Sequence, residues 1–238
     1  MTRVLSFLFV GMLSAAVANG QVINEFVADH IGGDSAEFVE IFGAPNTDYS
    51  NLWIVEIEGD AGSTGLIDDG IFQVGTTDAN GFWTTPFGAN VIENGNITLL
   101  LVSDFTGAVD DDLDTDDDGV LDVTPWSAII DGIASSDGGD PDDRVYALDL
   151  APGFDGSTFQ TGGASRIPNG VDTDTIADWV RNDFFGEGLP GLSNNPTSGA
   201  LNTPGASNEL AIPEPGSAVL ALLAASLAGA ASMRSRLG

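Results

Sequence analysis

Residues 110–122 read Asp-Asp-Asp-Leu-Asp-Thr-Asp-Asp-Asp-Gly-Val-Leu-Asp. Counting Asp114 as position 1 places Asp116 at 3, Asp118 at 5, Gly119 at 6 and Asp122 at 9. Alternate carboxylates of this kind converge on one hard cation, the glycine permits the sharp turn, and Val120 offers its carbonyl. Asp114, Asp116, Asp118, Val120 and Asp122 are therefore the expected calcium ligands. Position 12, where an EF-hand supplies a bidentate glutamate, is Pro125, and no helical pattern flanks the run. An EF-hand is excluded; a shorter Asp-x-Asp-x-Asp-Gly-x-x-Asp calcium loop is not. The competing interpretation is a solvated acidic loop, because a chain with 27 aspartates produces such spacings by chance.

The remaining candidates for chemistry are weaker. Asp137, Asp140, Asp142 and Asp143 surround Gly138-Gly139 and Pro141 and read as a turn, as do Asp172, Thr173 and Asp174. His30 is the one histidine and sits beside Gly32-Gly33 in an expected loop, where a solvated side chain is the ordinary outcome. No Gly-x-Ser-x-Gly motif marks a nucleophile. Paired carboxylates hydrolyse glycosides, but in so acidic a chain some pair always lies close, so the composition alone identifies none. No catalytic residue is assigned.

Composition narrows the classes further. The 238 residues carry 36 acids against six basic residues, all arginine, for a net charge of -30. Without lysine there is no P-loop and no Schiff base. Without cysteine there is no disulfide, thiol nucleophile or cysteine zinc site. Nucleic acid is excluded as a direct partner, since phosphate binding needs a basic footprint. At 42% hydrophobic the chain still has enough apolar residues to fold. Between residues 21 and 211 three arginines (Arg144, Arg166 and Arg181) face 35 acids. Solubility in a salty medium explains such a balance, and so does divalent cation binding. Both can hold.

The elements that must position these groups are β-strands. Short β-rich runs recur between 21 and 211, bounded by Gly, Asn, Asp and Pro. Residues 22–29 alternate, with Ile23, Glu25 and Val27 on one face and Val22, Asn24, Phe26 and Ala28 on the other. Residues 37–42 and 52–58 alternate acid with apolar. Asn94-Gly95 signals a hairpin leading into 97–102, a run apolar enough to be buried on both faces. Residues 71–74, 127–133, 145–148 and 177–180 are further strand candidates. The expectation is an all-β, immunoglobulin-like β-sandwich over residues 21–208, one domain without the usual cysteine pair.

The two ends read as targeting segments. Residues 1–20 have Arg3, an apolar run and Ala16-Val17-Ala18, the three parts of a signal peptide. Residues 209–216 form a linker containing Pro213-Glu214-Pro215. Residues 217–238 hold an uncharged stretch at the lower limit for one membrane-spanning helix, closed by Arg234 and Arg236. This order closely resembles the PEP-CTERM sorting signal. The resemblance implies recognition by an exosortase-type membrane protease in a Gram-negative-type envelope, then removal of the tail and release or attachment outside the cell.

The region between them resembles the lamin-tail domain, an immunoglobulin-like sandwich. Val22-Ile23-Asn24-Glu25 with Glu37-Phe38-Val39-Glu40-Ile41 looks like that family's opening pair of strands, and Leu52-Trp53 like the start of its next. Asn202-Thr203-Pro204-Gly205-Ala206-Ser207-Asn208 looks like the closing segment of bacterial members. Ser165-Arg166-Ile167-Pro168 and Ala177-Asp178-Trp179 also resemble secreted bacterial forms. The acidic insertion at 107–125 departs from the family pattern. The resemblance implies a non-catalytic interaction or anchoring module. The expected protein is exported and held at the cell envelope, the outer surface or the extracellular matrix, bound to polysaccharide or protein and stiffened by calcium. Before processing, its C-terminal helix holds it in the membrane. The rival expectation is a calcium-dependent extracellular hydrolase of polysaccharide or another polymer.

Overall fold

The computed structural model describes residues 20–30, 33–183, 189–190 and 199–211. The signal-peptide and sorting-signal expectations, 1–19 and 212–238, lie outside the described residues. Among those residues the regular structure is ten strands and one short 3-10 turn, Ile176–Asp178. No helix there is long and apolar enough to cross a membrane.

The strands form two sheets. The first contains β1 (Val22–Val27), β2 (Phe38–Phe42), β5 (Phe82–Thr84), β9 (Gly163–Arg166) and β10 (Trp179–Arg181), in the order β10-β9-β1-β2-β5. The second contains β3 (Leu52–Glu58), β4 (Ile67–Gln73), β6 (Ile97–Ser103), β7 (Ala128–Ser135) and β8 (Leu148–Asp149), in the order β4-β3-β6-β7-β8. All pairs are antiparallel except β7 with β8. Ile23, Phe26, Val39 and Ile41 of the first sheet meet Leu52, Ile54, Leu99, Leu101 and Ile133 of the second in one apolar core.

Two local expectations are corrected. A bulge lies between Ile23 and Glu25. A bulge inserts one residue and so shifts the alternation. Ile23 and Phe26, three apart, therefore both enter the core, and Asn24 is the extra residue. Asn94-Gly95 is not a hairpin turn, because β5 before it and β6 after it belong to different sheets.

Strand β6 is buried along its whole length, as its composition predicts. Its second face is covered by the acidic insertion. Leu113 is fully buried among Val55, Ile57, Ile67, Leu100 and Val102, with Leu121 and Trp126 packed alongside. Burying Leu113 is worth about 1.5–3 kcal/mol, so the insertion is a folded cover on the second sheet rather than a solvated loop.

The outer face of the first sheet carries carboxylates. Glu25 and Glu40 sit directly opposite each other on β1 and β2, and both are fully buried. Like charges so placed repel. Residues 199–211 cross this face and supply donors: Thr203 N–H reaches Glu25 Oε1 at 3.1 Å, and Gly205 N–H reaches Glu40 Oε2 at 2.6 Å. Asn24, Ser165 and Asn182 add side-chain donors. The opening and closing motifs of the sequence thus meet in space.

Burial lifts Glu25 to about 7, and burial with the adjacent Glu25 lifts Glu40 to about 9. The folded chain therefore holds protons that the unfolded chain releases above its ordinary carboxylate range near 4.5. The stability contributed by these two groups is fully present below that range and is lost as pH rises toward 9, the opposite of an ion-paired carboxylate. Chemical unfolding at pH 5 and pH 8.5 should show the higher stability at pH 5. Glu40→Gln should flatten the dependence by at least about 1 kcal/mol, or roughly 2–4 °C in Tm.

Candidate metal centre

Leu113 anchors the loop that follows it. Its N–H bonds Gly65 O at 2.9 Å, and its carbonyl accepts the N–H groups of Asp122 and Val123. This closes the chain between 113 and 122 into a ring. Asp114, next to the anchor, is fully buried. Its Oδ1 accepts Asp118 N–H at 3.1 Å; its Oδ2 accepts Gly119 N–H at 2.8 Å and the Tyr146 hydroxyl at 2.8 Å. Asp117 and Gly119 have φ of 57° and 86°. Those left-handed conformations turn the loop back so that its N–H groups face Asp114. Burial and the Asp114 bond push the Tyr146 phenol above its ordinary range, so it stays a donor.

Asp114, Asp116 and Asp122 each bring one carboxylate oxygen within 4.8 Å of the others. Asp118 is not in that group, which consists of side-chain carboxylates and so does not bear on the Val120 carbonyl. Asp118 Oδ1 accepts Val120 N–H at 2.9 Å, and the Val120 side chain is exposed. Asp122 Oδ2 accepts the N–H and the hydroxyl of Thr115. Asp116 is raised by Asp118 first, then by slight desolvation, Asp122 and Asp114. The nearby cation, Arg144, donates to the carbonyls of Asp117, Pro141 and Asp143. The loop thus presents a ring of oxygens whose deepest member is already fixed by N–H and O–H donors.

A second carboxylate group appears that no spacing in the sequence signals, because its members come from separate segments. Glu58 on β3, Asp68 on β4 and Glu93 also bring oxygens within 4.8 Å of one another. Glu56, on the same face of β3, is fully buried and accepts Glu93 N–H at 2.7 Å through Oε1. Gly70 is required beside it, since a Cβ there would collide with Glu56 Oε2. The segment carrying Glu93 is delivered from the first sheet. Glu37 gathers the N–H groups of Asn90, Val91 and Ile92 at 3.0, 2.6 and 3.0 Å. Burial, opposed by the Glu93 N–H and reinforced by Asp68, Glu58 and Glu93, lifts Glu56 to about 8. A hydrogen bond with Glu58, then burial, lifts Glu93 to about 7. A cavity of about 300 Å³ opens beside them, lined by Asp68, Asp69, Asn90, Val91 and Glu93 among others.

The other singled-out residues have structural work. Asp137, Asp140 and Asp143 cap turn N–H groups. Asp172 pairs with Arg166 at 3.0 Å. His30 is buried rather than solvated, and its Nε2 accepts Ser35 N–H at 3.2 Å. No family model, curated protein or solved structure matches this chain.

The geometry separates two roles within one loop. In calcium-free buffer Asp114→Ala should lower stability by about 1–3 kcal/mol, because it strands two N–H groups and a hydroxyl. Asp116→Asn should raise the calcium-free Tm, because it removes a repelling charge while the amide oxygen can still accept the Asp118 N–H. Paired thermal melts in chelator check both directions.

Proposed function

We propose that this chain is an exported, non-catalytic binding or structural module of the cell envelope or extracellular matrix. Its sandwich is immunoglobulin-like and of lamin-tail type over residues 21–208. The observation that carries this reading is the clasp of residues 199–211 over Glu25 and Glu40. The residues of the resemblance, from the two ends of that region, form one hydrogen-bonded unit. It ends at the threshold of Pro213-Glu214-Pro215. A module completed so close to a sorting motif suits display at a surface, with an exosortase-type protease cutting after the clasp has closed. Polysaccharide or protein is the proposed partner.

The hydrolase alternative finds less support. A retaining glycosidase keeps its carboxyl groups about 5–5.5 Å apart, with the scissile bond between them. Glu58 and Glu93 instead crowd together with Asp68, with oxygens within 4.8 Å of one another, and Glu58 Oε1 is taken up by the N–H groups of Gly59 and Asp60. Most other buried carboxylates are occupied by backbone N–H groups. Calcium at Asp114, Asp116 and Asp122, with Asp118 and the Val120 carbonyl completing the shell, fits as a stiffener of the cover on the second sheet.

Two experiments bear on this. Deleting residues 212–238 in a host with an exosortase should move the protein from the membrane fraction to the medium; identical fractionation of both forms would overturn the sorting proposal. Calcium at about 100 times its dissociation constant should stabilise the protein by about 2.7 kcal/mol beyond a sodium chloride control of matched ionic strength. Asp116→Asn combined with Asp118→Asn should abolish the part of that shift owed to the loop.

A further inference from the structure

The group formed by Glu56, Glu58, Asp68 and Glu93 stands apart from the acidic loop and is unused by the proposed function. Glu58, Asp68 and Glu93 can each place an oxygen on one ion, since those oxygens lie within 4.8 Å of one another. Close carboxylates alone are common in so acidic a chain. Glu56 supplies the independent observation. It is fully buried, its Oε1 is held by Glu93 N–H, and its Oε2 is buried with no hydrogen-bond partner. Its Oε1 sits on the Glu93 N–H and its Oε2 lies against Gly70, two residues from Asp68 on β4, so the carboxyl lies between the segments that carry Glu93 and Asp68. A buried oxygen without a partner costs about 1–3 kcal/mol, more when charged, and Gly70 is spent on making room for it. The cavity beside Asp68 and Glu93 gives a path from solvent.

We propose that Glu58, Asp68 and Glu93 form a second divalent-cation site beside the buried Glu56, taking a hard ion of the calcium class. All three side chains offer oxygen only, which selects calcium, magnesium or manganese over softer metals. Ligands from separate elements, at different depths, suit the flexible shell of calcium better than the strict octahedron of magnesium. The ion would tie β3 and β4 of the second sheet to the segment that Glu37 holds from the first. It is thus a staple between sheets in a chain without cysteine.

The test is equilibrium dialysis of the full chain with radioactive calcium, in about 0.15 M salt to suppress loosely held counterions. In the Asp116→Asn/Asp118→Asn background, one calcium per chain should remain, with a dissociation constant of roughly 0.1–1 mM. Adding Asp68→Asn and Glu93→Gln should remove it. Glu93→Gln alone keeps the backbone bond to Glu56, so the fold persists, and it should weaken binding at least tenfold. Near-UV circular dichroism confirms that each variant is folded. Calcium that persists unchanged in the fourfold variant belongs to the general surface charge and overturns the site. Absence of any bound calcium in the Asp116→Asn/Asp118→Asn background also overturns it, whatever the acidic loop does in the parent chain.

Discussion

The structure depends on burying carboxylates with almost no cations to pair them. Three arginines serve 35 acids between residues 21 and 211, and ion pairing cannot satisfy the acids that the fold takes inside. Backbone N–H groups do it instead. Glu37 gathers three consecutive N–H groups, Asp114 two, Glu58 those of Gly59 and Asp60, and Glu25 and Glu40 those of the 199–211 segment. Each such carboxylate organises a loop, because the donors it needs come from residues that must turn toward it. Much of the irregular chain is therefore folded around acids, and its shape follows from their demand for donors.

The two buried arginines add ion pairs to acids that also accept backbone N–H groups. Arg166 lies 4.5 Å over the Trp179 ring, donates to Ile23 O, and pairs with Asp131 at 3.1 Å. Asp131 is on β7 of the second sheet and also accepts Ile23 N–H of β1 at 2.7 Å. This joint ties the sheets in a chain that has no disulfide. Breaking such a pair leaves a buried charge and costs about 3–5 kcal/mol. Arg181 does similar work at β10, reaching Asp155 at 2.9 Å and Asp183 at 3.0 Å.

The acidic insertion joins stability to the candidate metal chemistry. Its apolar residues Leu113 and Leu121, with Trp126 just after it, cover the outer face of the second sheet, while Asp114 is buried beside them and Asp116, Asp118 and Asp122 stay exposed. The cover buries apolar area but also crowds like charges. A cation would relieve that crowding without changing the packing beneath. The loop site lies on the cover of the second sheet, and the second group lies where β3 and β4 meet the segment that Glu37 holds from the first, so ions there would bear on rigidity.

What the sequence determined by itself was the strand composition and the calcium-like spacing. Residues 52–58 match β3, and the fully apolar run at 97–102 matches a strand buried on both faces, because side-chain alternation and β-branched content are local properties. The Asp114-to-Asp122 spacing was legible for the same reason. Only the tertiary structure decided what covers each sheet. A bulge at Asn24 reassigns the faces of β1, and no local pattern announces one inserted residue. Glu25 and Glu40 acquire their raised pKa values and their bonds to Thr203 and Gly205 only when β1, β2 and residues 199–211 meet. Glu56, Glu58, Asp68 and Glu93 form a group only because β3, β4 and the segment held by Glu37 converge. Those properties belong to distances between remote residues, and a carboxylate's protonation and partners are set by its surroundings rather than by its place in the chain.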